Sequence, residues 1–207
     1  MKMKNILLLL ICAGLYMTAS AQDEEVKKSG FKKENLFTGG NLTLQFGNQT
    51  TALGISPYIG YSLTKWLDLA ASVNFNYISQ RDNVVAGDKI RQTVYGPGAF
   101  VRIFPVKFIF VQGHFEENFI RLKYIPATNS GYTQEKQSLT APSFLVGGGY
   151  AGGRGGDSKS FYYISVLWDI ANNKNSPYLD NMGRTVPVIR AGYNIALFQG
   201  GRKRNRG

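Results

Sequence analysis

The sequence predicts an all-β fold, an antiparallel eight-stranded up-and-down transmembrane β-barrel. Segments of roughly ten residues alternate apolar with small or polar side chains, which is typical of membrane-crossing strands. The connections between them alternate between tight and long, and no stretch keeps a helical period of apolar residues. Together these features favour a closed meander of hairpins.

An export signal precedes the predicted barrel. Two lysines come before an apolar run at 6–15, and small residues follow at Ala19 and Ala21. The run is shorter than the roughly 20 residues of a spanning helix. We therefore predict a cleavable signal peptide at residues 1–21, cut near Ala21. Cys12, the single cysteine, lies inside it, so the mature chain is expected to contain no disulfide or thiolate metal site.

The rest of the chain divides into a charged N-terminal periplasmic tail at 22–36, the barrel at 37–198 and a basic C-terminal tail at 199–207. The formal net charge is +11, but the basic residues are scattered over predicted loops and tails. This distribution favours contact with anionic lipid head groups over nucleic acid, which we do not expect as a partner.

The predicted strands cover residues 39–47, 51–63, 66–78, 90–104, 107–116, 139–152, 160–170 and 186–198. Connections after even-numbered strands are tight or glycine-rich, such as "LTK" and "FPV", whereas those after odd-numbered strands are mostly longer. This asymmetry predicts short periplasmic turns and long extracellular loops. Segments 123–132 and 176–184 of the long loops carry aromatic residues beside charges, and we expect them to be contact surfaces.

The third predicted strand raises the question of which face is inside. In "KWLDLAASVNFNYIS" the apolar residues alternate with a face that contains Asp68, Ala70, Ser72 and Asn74. A water-soluble sheet would solvate that second face with long polar side chains. Across the strands this face is instead mostly Gly, Ala and Ser, which suits a crowded lumen. We therefore expect the apolar face to meet lipid.

Isolated charges and the single histidine fall on the lumenal face. Because an unpaired ion is costly at low dielectric, we predict a structural network of ion pairs and hydrogen bonds. Its predicted members are Asp68, Arg102, His114, Glu116, Asp169 and Arg190. Arg102 on the fourth strand is the expected partner of Asp68.

Aromatic residues near the strand ends predict two interfacial girdles. The periplasmic girdle consists of Tyr61, Tyr150, Tyr162 and Phe198. The extracellular girdle consists of Phe75, Tyr77, Tyr95 and Trp168.

The last predicted strand contains "RAGYNIALF", in which Arg190, Gly192, Ile195, Leu197 and Phe198 resemble the terminal β-signal read by the outer-membrane assembly machinery. With it, the region from Phe37 to Phe198 resembles the small eight-stranded outer-membrane barrels, the class of the OmpA-like transmembrane domain and of OmpX-like and PorT-like proteins. The resemblance implies residence in the outer membrane of a Gram-negative bacterium, with assembly machinery, outer-membrane lipid and lipopolysaccharide as partners. The tail "GGRKRNRG" departs from this class, in which such a signal usually closes the chain.

Catalytic, cofactor and metal residues are not expected. The glycines in "GGGYAGGRGG" match a dinucleotide motif, but a strand follows them instead of a helix. A serine nucleophile, Ser143 or Ser165, could meet His114 as its base across strands. An outer-membrane lipid-modifying enzyme is therefore one alternative. One histidine without a carboxylate cluster falls short of a metal ligand set.

The favoured function is an integral outer-membrane barrel with a structural, anchoring or interaction role, through its extracellular loops or an unidentified envelope partner. Eight strands leave too little lumen for an open pore. A secreted soluble β-barrel or sandwich that binds a ligand is the second alternative.

Overall fold

The computed structural model describes residues 30–47, 49–154, 160–180 and 182–198. The predicted signal peptide, its cleavage site near Ala21 and the basic tail at 199–207 lie outside these residues. The barrel belongs to the unit that begins at Lys33.

Within the described ranges, no helix has both the length and the apolar character that a membrane crossing requires.

A short 3-10 turn at Lys33–Asn35 leads into the first strand. The strands are β1 Leu36–Gly47, β2 Thr50–Ser62, β3 Leu67–Arg81, β4 Lys89–Val106, β5 Ile109–Ile125, β6 Glu135–Gly152, β7 Phe161–Asp169 and β8 Val188–Ala196.

Each strand pairs antiparallel with the next, and β8 pairs with β1 to close the barrel. The prediction of an antiparallel eight-stranded up-and-down barrel is therefore confirmed. The strand ends that flank residues 63–66, 107–108 and 153–160 lie at one end of the barrel, called here the turn end. The strand ends that flank residues 48–49, 82–88, 126–134 and 170–187 lie at the opposite end, called the loop end.

The strands differ from their predicted bounds mainly at the loop end. β5 continues to Ile125, whereas the prediction ended it at residue 116, and β6 begins at Glu135 instead of residue 139. The sequence interpretation assigns residues 117–138 to a long connection that includes Arg121 and Lys123. In the structure both side chains project outward from a regular strand.

Alternation along β3 places the predicted lumenal face inside. Asp68, Ser72 and Asn74 are buried, while Val73 and Phe75 are about half exposed on the outer surface. This is the orientation that the small and polar composition of the inner face indicated.

The pattern changes near the loop end. Inward positions of β2 to β6 contribute a buried apolar cluster of Ala52, Ile78, Val94, Ile120 and Ala141. On β4 to β6 the outward positions become polar or basic, as at Thr93, Arg121 and Lys136. This part of the barrel therefore has the pattern of a water-soluble sheet, with apolar residues inside and polar residues outside.

The β7–β8 loop turns into the mouth of the barrel. Tyr178 is only 1% exposed, and Ser176 and Asp180 are also buried. The expectation that segment 176–184 forms an outward contact surface is therefore wrong for these three residues. The physical reason is that the Tyr178 ring packs with Leu145, Leu167 and Val188 inside the barrel.

Candidate functional site in the barrel lumen

The turn end of the lumen is filled by aromatic rings. The buried cluster there consists of Phe37, Tyr58, Ala70, Phe100, Phe104, Phe110, Ala151, Phe161 and Tyr163. Inward glycines make room for these rings. A Cβ atom at Gly60 would lie 2.3 Å from Cζ of Phe37, and one at Gly192 would lie 2.7 Å from Cζ of Tyr163. The small residues of the lumenal face thus complement large ones on neighbouring strands.

Arg102 projects from β4 into this aromatic cluster. Its guanidinium carbon lies 3.9 Å from the ring centroid of Tyr163 and 4.5 Å from that of Phe100. Its Nε donates a hydrogen bond of 2.7 Å to Oε1 of Gln112. Cation–π contact and one amide oxygen therefore stabilise a cation that is almost completely buried.

Asp68 pairs with Arg154 and not with Arg102. Arg154 Nη1 lies 2.8 Å from Oδ2 of Asp68, and Arg154 Nη2 donates to the backbone oxygen of Lys65. The pair was predicted because both residues lie on the lumenal face of neighbouring strands, and they do face each other in the strand register. The correction arises because the guanidinium of Arg102 points into the rings, while Arg154 follows β6 and reaches across the turn end.

The middle of the lumen contains the most tightly bonded group of charges. Arg190 Nη2 on β8 donates a hydrogen bond of 2.6 Å to Oε1 of Glu116 on β5. The Tyr178 hydroxyl from the β7–β8 loop donates to the other carboxylate oxygen of Glu116. All three side chains are at most 1% exposed. The buried carboxylate thus has a cation on one oxygen and a hydroxyl donor on the other, which is the arrangement that a buried ion pair needs.

His114 connects this pair to β3. Arg190 Nη1 lies 2.6 Å from Nδ1 of His114, and His114 Nε2 lies 3.1 Å from Oγ of Ser72. A guanidinium can only donate, so Nδ1 accepts, and the proton of a neutral imidazole lies on Nε2. In this tautomer Nε2 cannot accept a proton from Ser72. The arrangement is therefore a structural hydrogen-bond chain and does not activate a serine nucleophile.

Two other serines that could have met the histidine lie elsewhere. Asn118 Nδ2 donates to Oγ of Ser143, and Ser165 Oγ lies 3.5 Å from the backbone oxygen of Arg190. No group of three His, Asp or Glu side chains able to hold a metal ion occurs within the described ranges.

Asp169 lies at the end of β7 and ties the β7–β8 loop to the barrel. Its carboxylate accepts hydrogen bonds from the Phe144 and Ala171 amides, both 3.0 Å long. It also accepts one of 2.5 Å from Oγ of Ser176. Asp169 therefore anchors the loop that delivers Tyr178 to Glu116.

Of the six residues predicted to form one network, the structure brings together His114, Glu116 and Arg190. It places Arg102 in the aromatic cluster, Asp68 at the turn end and Asp169 at the loop end. Sequence reasoning missed Arg154 and Tyr178 as partners. Both lie in segments interpreted as connections, and the visible signals were a lone arginine within "GGRGG" and an aromatic–leucine pair within a polar loop.

Most of the predicted girdle residues point outward. Exposed side chains are found at Phe75, Tyr77, Tyr150, Tyr162, Trp168 and Phe198, whereas Tyr61 and Tyr95 are half-buried. Among the residues of the resembled β-signal, Arg190 faces the lumen and Ile195 faces outward. β8 ends at Ala196, so Leu197 and Phe198 follow the strand, although the Leu197 amide still donates to the Leu36 oxygen.

Two carboxylates organise the loop end outside the lumen. Asp88 accepts hydrogen bonds from the amides of Asn83, Val84 and Val85. Burial raises the pKa of Asp88, but the amide donors and the Tyr124 hydroxyl outweigh it and hold the pKa below the ordinary value of 3.8. Burial likewise raises the pKa of Asp180, and hydrogen bonds from Arg184 and from the Met182 amide lower it below the ordinary value.

No protein-family model matches the chain, and no curated protein matches it in sequence. Similar solved structures are small β-barrels. Ail, the attachment invasion locus protein of Yersinia pestis in complex with the heparin analogue sucrose octasulfate, is 12% identical with a TM-score of 0.47 and covers 78% of this chain and 99% of that one. The N-terminal β-barrel domain of Pseudomonas aeruginosa OprF is 16% identical with a TM-score of 0.47 and covers 78% and 98%.

Neisserial surface protein A (NspA) is 13% identical, with a TM-score of 0.41, and covers 78% of this chain and 95% of that one. The fold itself is established by the strand order and pairing of this chain. The eight-stranded up-and-down fold that the resemblance implied is therefore confirmed.

Proposed function

We propose that this protein is an integral outer-membrane β-barrel with a sealed lumen, which serves a structural, anchoring or interaction role in the cell envelope. The observation that carries the proposal is the outer surface. Large apolar side chains are exposed around the barrel, including Ile55, Phe75, Phe115, Ile164 and Tyr193. Water-soluble monomers rarely expose such a continuous apolar area, whereas a lipid bilayer covers it.

The change in the outer surface of β4 to β6 near the loop end supports the same proposal. Below this level the outward side chains are apolar, and above it they are polar or basic and cover an apolar interior. A change of solvent from lipid to water at this level accounts for both halves. It also indicates that the loop end projects beyond the membrane surface.

One carboxylate interrupts the apolar outer surface. Glu117 on β5 is half-buried, and it lies opposite Pro142 on β6. Outward positions near it include Val73, Pro97, Phe115 and Phe119. A single carboxylate on the lipid face of a barrel is tolerated at lower cost than a lysine or arginine.

The content of the lumen supports a role other than an open pore. Aromatic rings fill the turn end, the Arg190–Glu116 pair bridges the middle, and two apolar clusters cover the loop end. Loops 82–88 and 126–134 remain as the surfaces available to an envelope partner, since the 170–187 loop contributes Tyr178 to the interior.

Fractionation of cells that export the full chain tests the membrane assignment. We expect the mature protein in the outer-membrane fraction, released by detergent but not by salt, with a gel mobility that changes on boiling. A protein that stays in the supernatant after lysis, without heat-dependent mobility, would contradict the proposal and favour a soluble β-protein.

Electrical recording from the purified barrel in planar bilayers tests the sealed lumen. We expect no steady conductance at neutral pH. A stable, permanently open channel would rule out the sealed lumen while leaving the membrane assignment intact.

A further inference from the structure

A groove on the outer surface of the loop end is lined by basic side chains. Its volume is about 370 Å³, and its lining consists of Tyr77, Arg91, Thr93, Arg121, Leu122, Lys123, Lys136, Gln137 and Ser138. Four of these side chains, Arg91, Arg121, Lys123 and Lys136, are named here the basic patch.

Strand register explains why the cations are so close. Arg91 on β4 faces Lys123 on β5, and Lys123 faces Lys136 on β6. Directly opposite residues in a sheet have Cβ atoms about 5 Å apart, and like charges at such positions repel. Three cations therefore form one row across three strands.

Carboxylates do not compensate this row. Among the described residues, the ion pairs within 4.0 Å involve Asp68, Glu116 and Asp180 as acids, and none includes a member of the basic patch. Arg121 has one aromatic contact, with its guanidinium carbon 5.6 Å from the Tyr95 ring centroid. A row of like charges is stabilised when an anion binds between them.

The rows below the cations are graded from polar to apolar. Tyr77, Thr93, Arg121 and Ser138 form the next row, and Phe75, Tyr95, Phe119 and Thr140 form the row after it. Successive rows are two residues apart, so the third row lies about 13 Å from the first along the strand. The basic patch is thus continuous with the apolar outer surface below.

We propose that the basic patch binds the phosphate group of an anionic lipid whose acyl chains lie along the apolar surface of β3 to β6 beneath it. The inference rests on the proposed function, because it requires that this surface face lipid. A soluble anion would contact the cations alone, whereas the acyl chains of a lipid would also pack on the row that contains Phe75, Tyr95 and Phe119. Arg and Lys at the upper edge of a lipid-facing surface are placed to neutralise headgroup phosphates.

The test measures binding of phosphatidic acid to the full mature chain, folded in neutral detergent. The variant carries Arg91→Gln, Lys123→Gln and Lys136→Gln, which removes the cation row from exposed or half-buried outward positions. A matched control carries Lys65→Gln, Lys107→Gln and Lys174→Gln, the same charge change at exposed sites away from the groove. We expect the dissociation constant to rise at least about tenfold in the first variant and less than twofold in the control.

Neutral diacylglycerol and inorganic phosphate are the probes that identify the source of the phosphate. We expect each to bind at least about tenfold more weakly than phosphatidic acid, because each lacks half of the interaction. Equal affinity for inorganic phosphate would overturn the lipid assignment. Equal affinity of the two triple variants for phosphatidic acid would overturn the role of the basic patch.

Folding of the variants is checked by heat-dependent gel mobility. Arg91→Lys with Arg121→Lys keeps the charges, and we expect it to bind like the unaltered protein. Its failure to bind, although folded, would contradict recognition by charge. Because binding is measured in detergent, a negative result here is distinct from a failure of the fractionation experiment, which concerns the location of the protein in the cell.

Discussion

Buried charges in this barrel are stabilised in three different ways. Arg102 relies on aromatic faces, Asp68 on a guanidinium from a turn, and Glu116 on a cation together with a hydroxyl. Each arrangement offsets a desolvation cost that an isolated ion could not bear. Removal of one partner should therefore cost more than removal of the pair.

Arg190→Met tests this at the centre of the lumen. The substitution leaves Glu116 buried without its cation, and we expect the free energy of unfolding to fall by about 3–5 kcal/mol. Urea unfolding in lipid vesicles, followed by tryptophan fluorescence, measures the loss. The double variant Arg190→Met with Glu116→Gln should recover part of the stability, and a double variant less stable than the single would contradict the pairing.

The hydroxyl group of Tyr178 provides a second test of how Glu116 is stabilised. Tyr178→Phe keeps the ring among Leu145, Leu167 and Val188 but removes the donor to Glu116. Hydrogen bonds to charged groups contribute about 1.5–3 kcal/mol, and we expect a loss of stability in that range. Met182→Ala, at an exposed position of the same loop, serves as the control and should change little.

At the scale of elements, the loops are held by carboxylates rather than by apolar packing alone. The pKa of Asp88 lies below 3.8, so its contribution to folding is complete above that pH and is lost as the pH falls through the lowered pKa. The same sign holds for Asp180.

Acid should therefore loosen these loops before it affects the strands. We expect amides of residues 83–85 to lose protection against hydrogen exchange, after correction for intrinsic rates, as the pH falls from about 6 to about 2. Asp88→Asn should reduce protection already at about pH 6 and remove most of the pH dependence. Unchanged protection in that variant would show that the carboxylate does not hold the loop.

The elements also show what the sequence could predict. Alternation with period two assigns each residue of β3 to the lumen or the exterior, because successive side chains of a strand point to opposite faces of the sheet. The loop ends of β5 and β6 were not predicted as strand. Their outward residues are polar, so these segments lack the apolar outer face by which the other strands were recognised. Contacts such as Asp68–Arg154 depend on how a turn folds across the barrel end, which alternation does not encode.

At the scale of the whole barrel, the exterior and interior should tolerate substitution very differently. Val73→Arg places a charge on the apolar outer surface, and we expect a cost of about 2–4 kcal/mol in lipid. Asn74→Ser, one residue along, changes a lumenal side chain whose amide has no hydrogen-bond partner among the described residues, and it should be nearly neutral. Urea unfolding in vesicles compares the two, and equal effects would contradict the assignment of faces.

Two sides of the barrel differ in the length of their strands. β4 and β6 contain 18 residues each, whereas β7 and β8 contain nine each, a difference of roughly 30 Å along the strand. A neighbouring protein in the membrane therefore meets a long contact surface on the side of β4 to β6 and a short one on the side of β7 and β8. The area of a lateral contact depends on how the barrel is rotated about its axis, so crowding in the membrane favours some orientations over others.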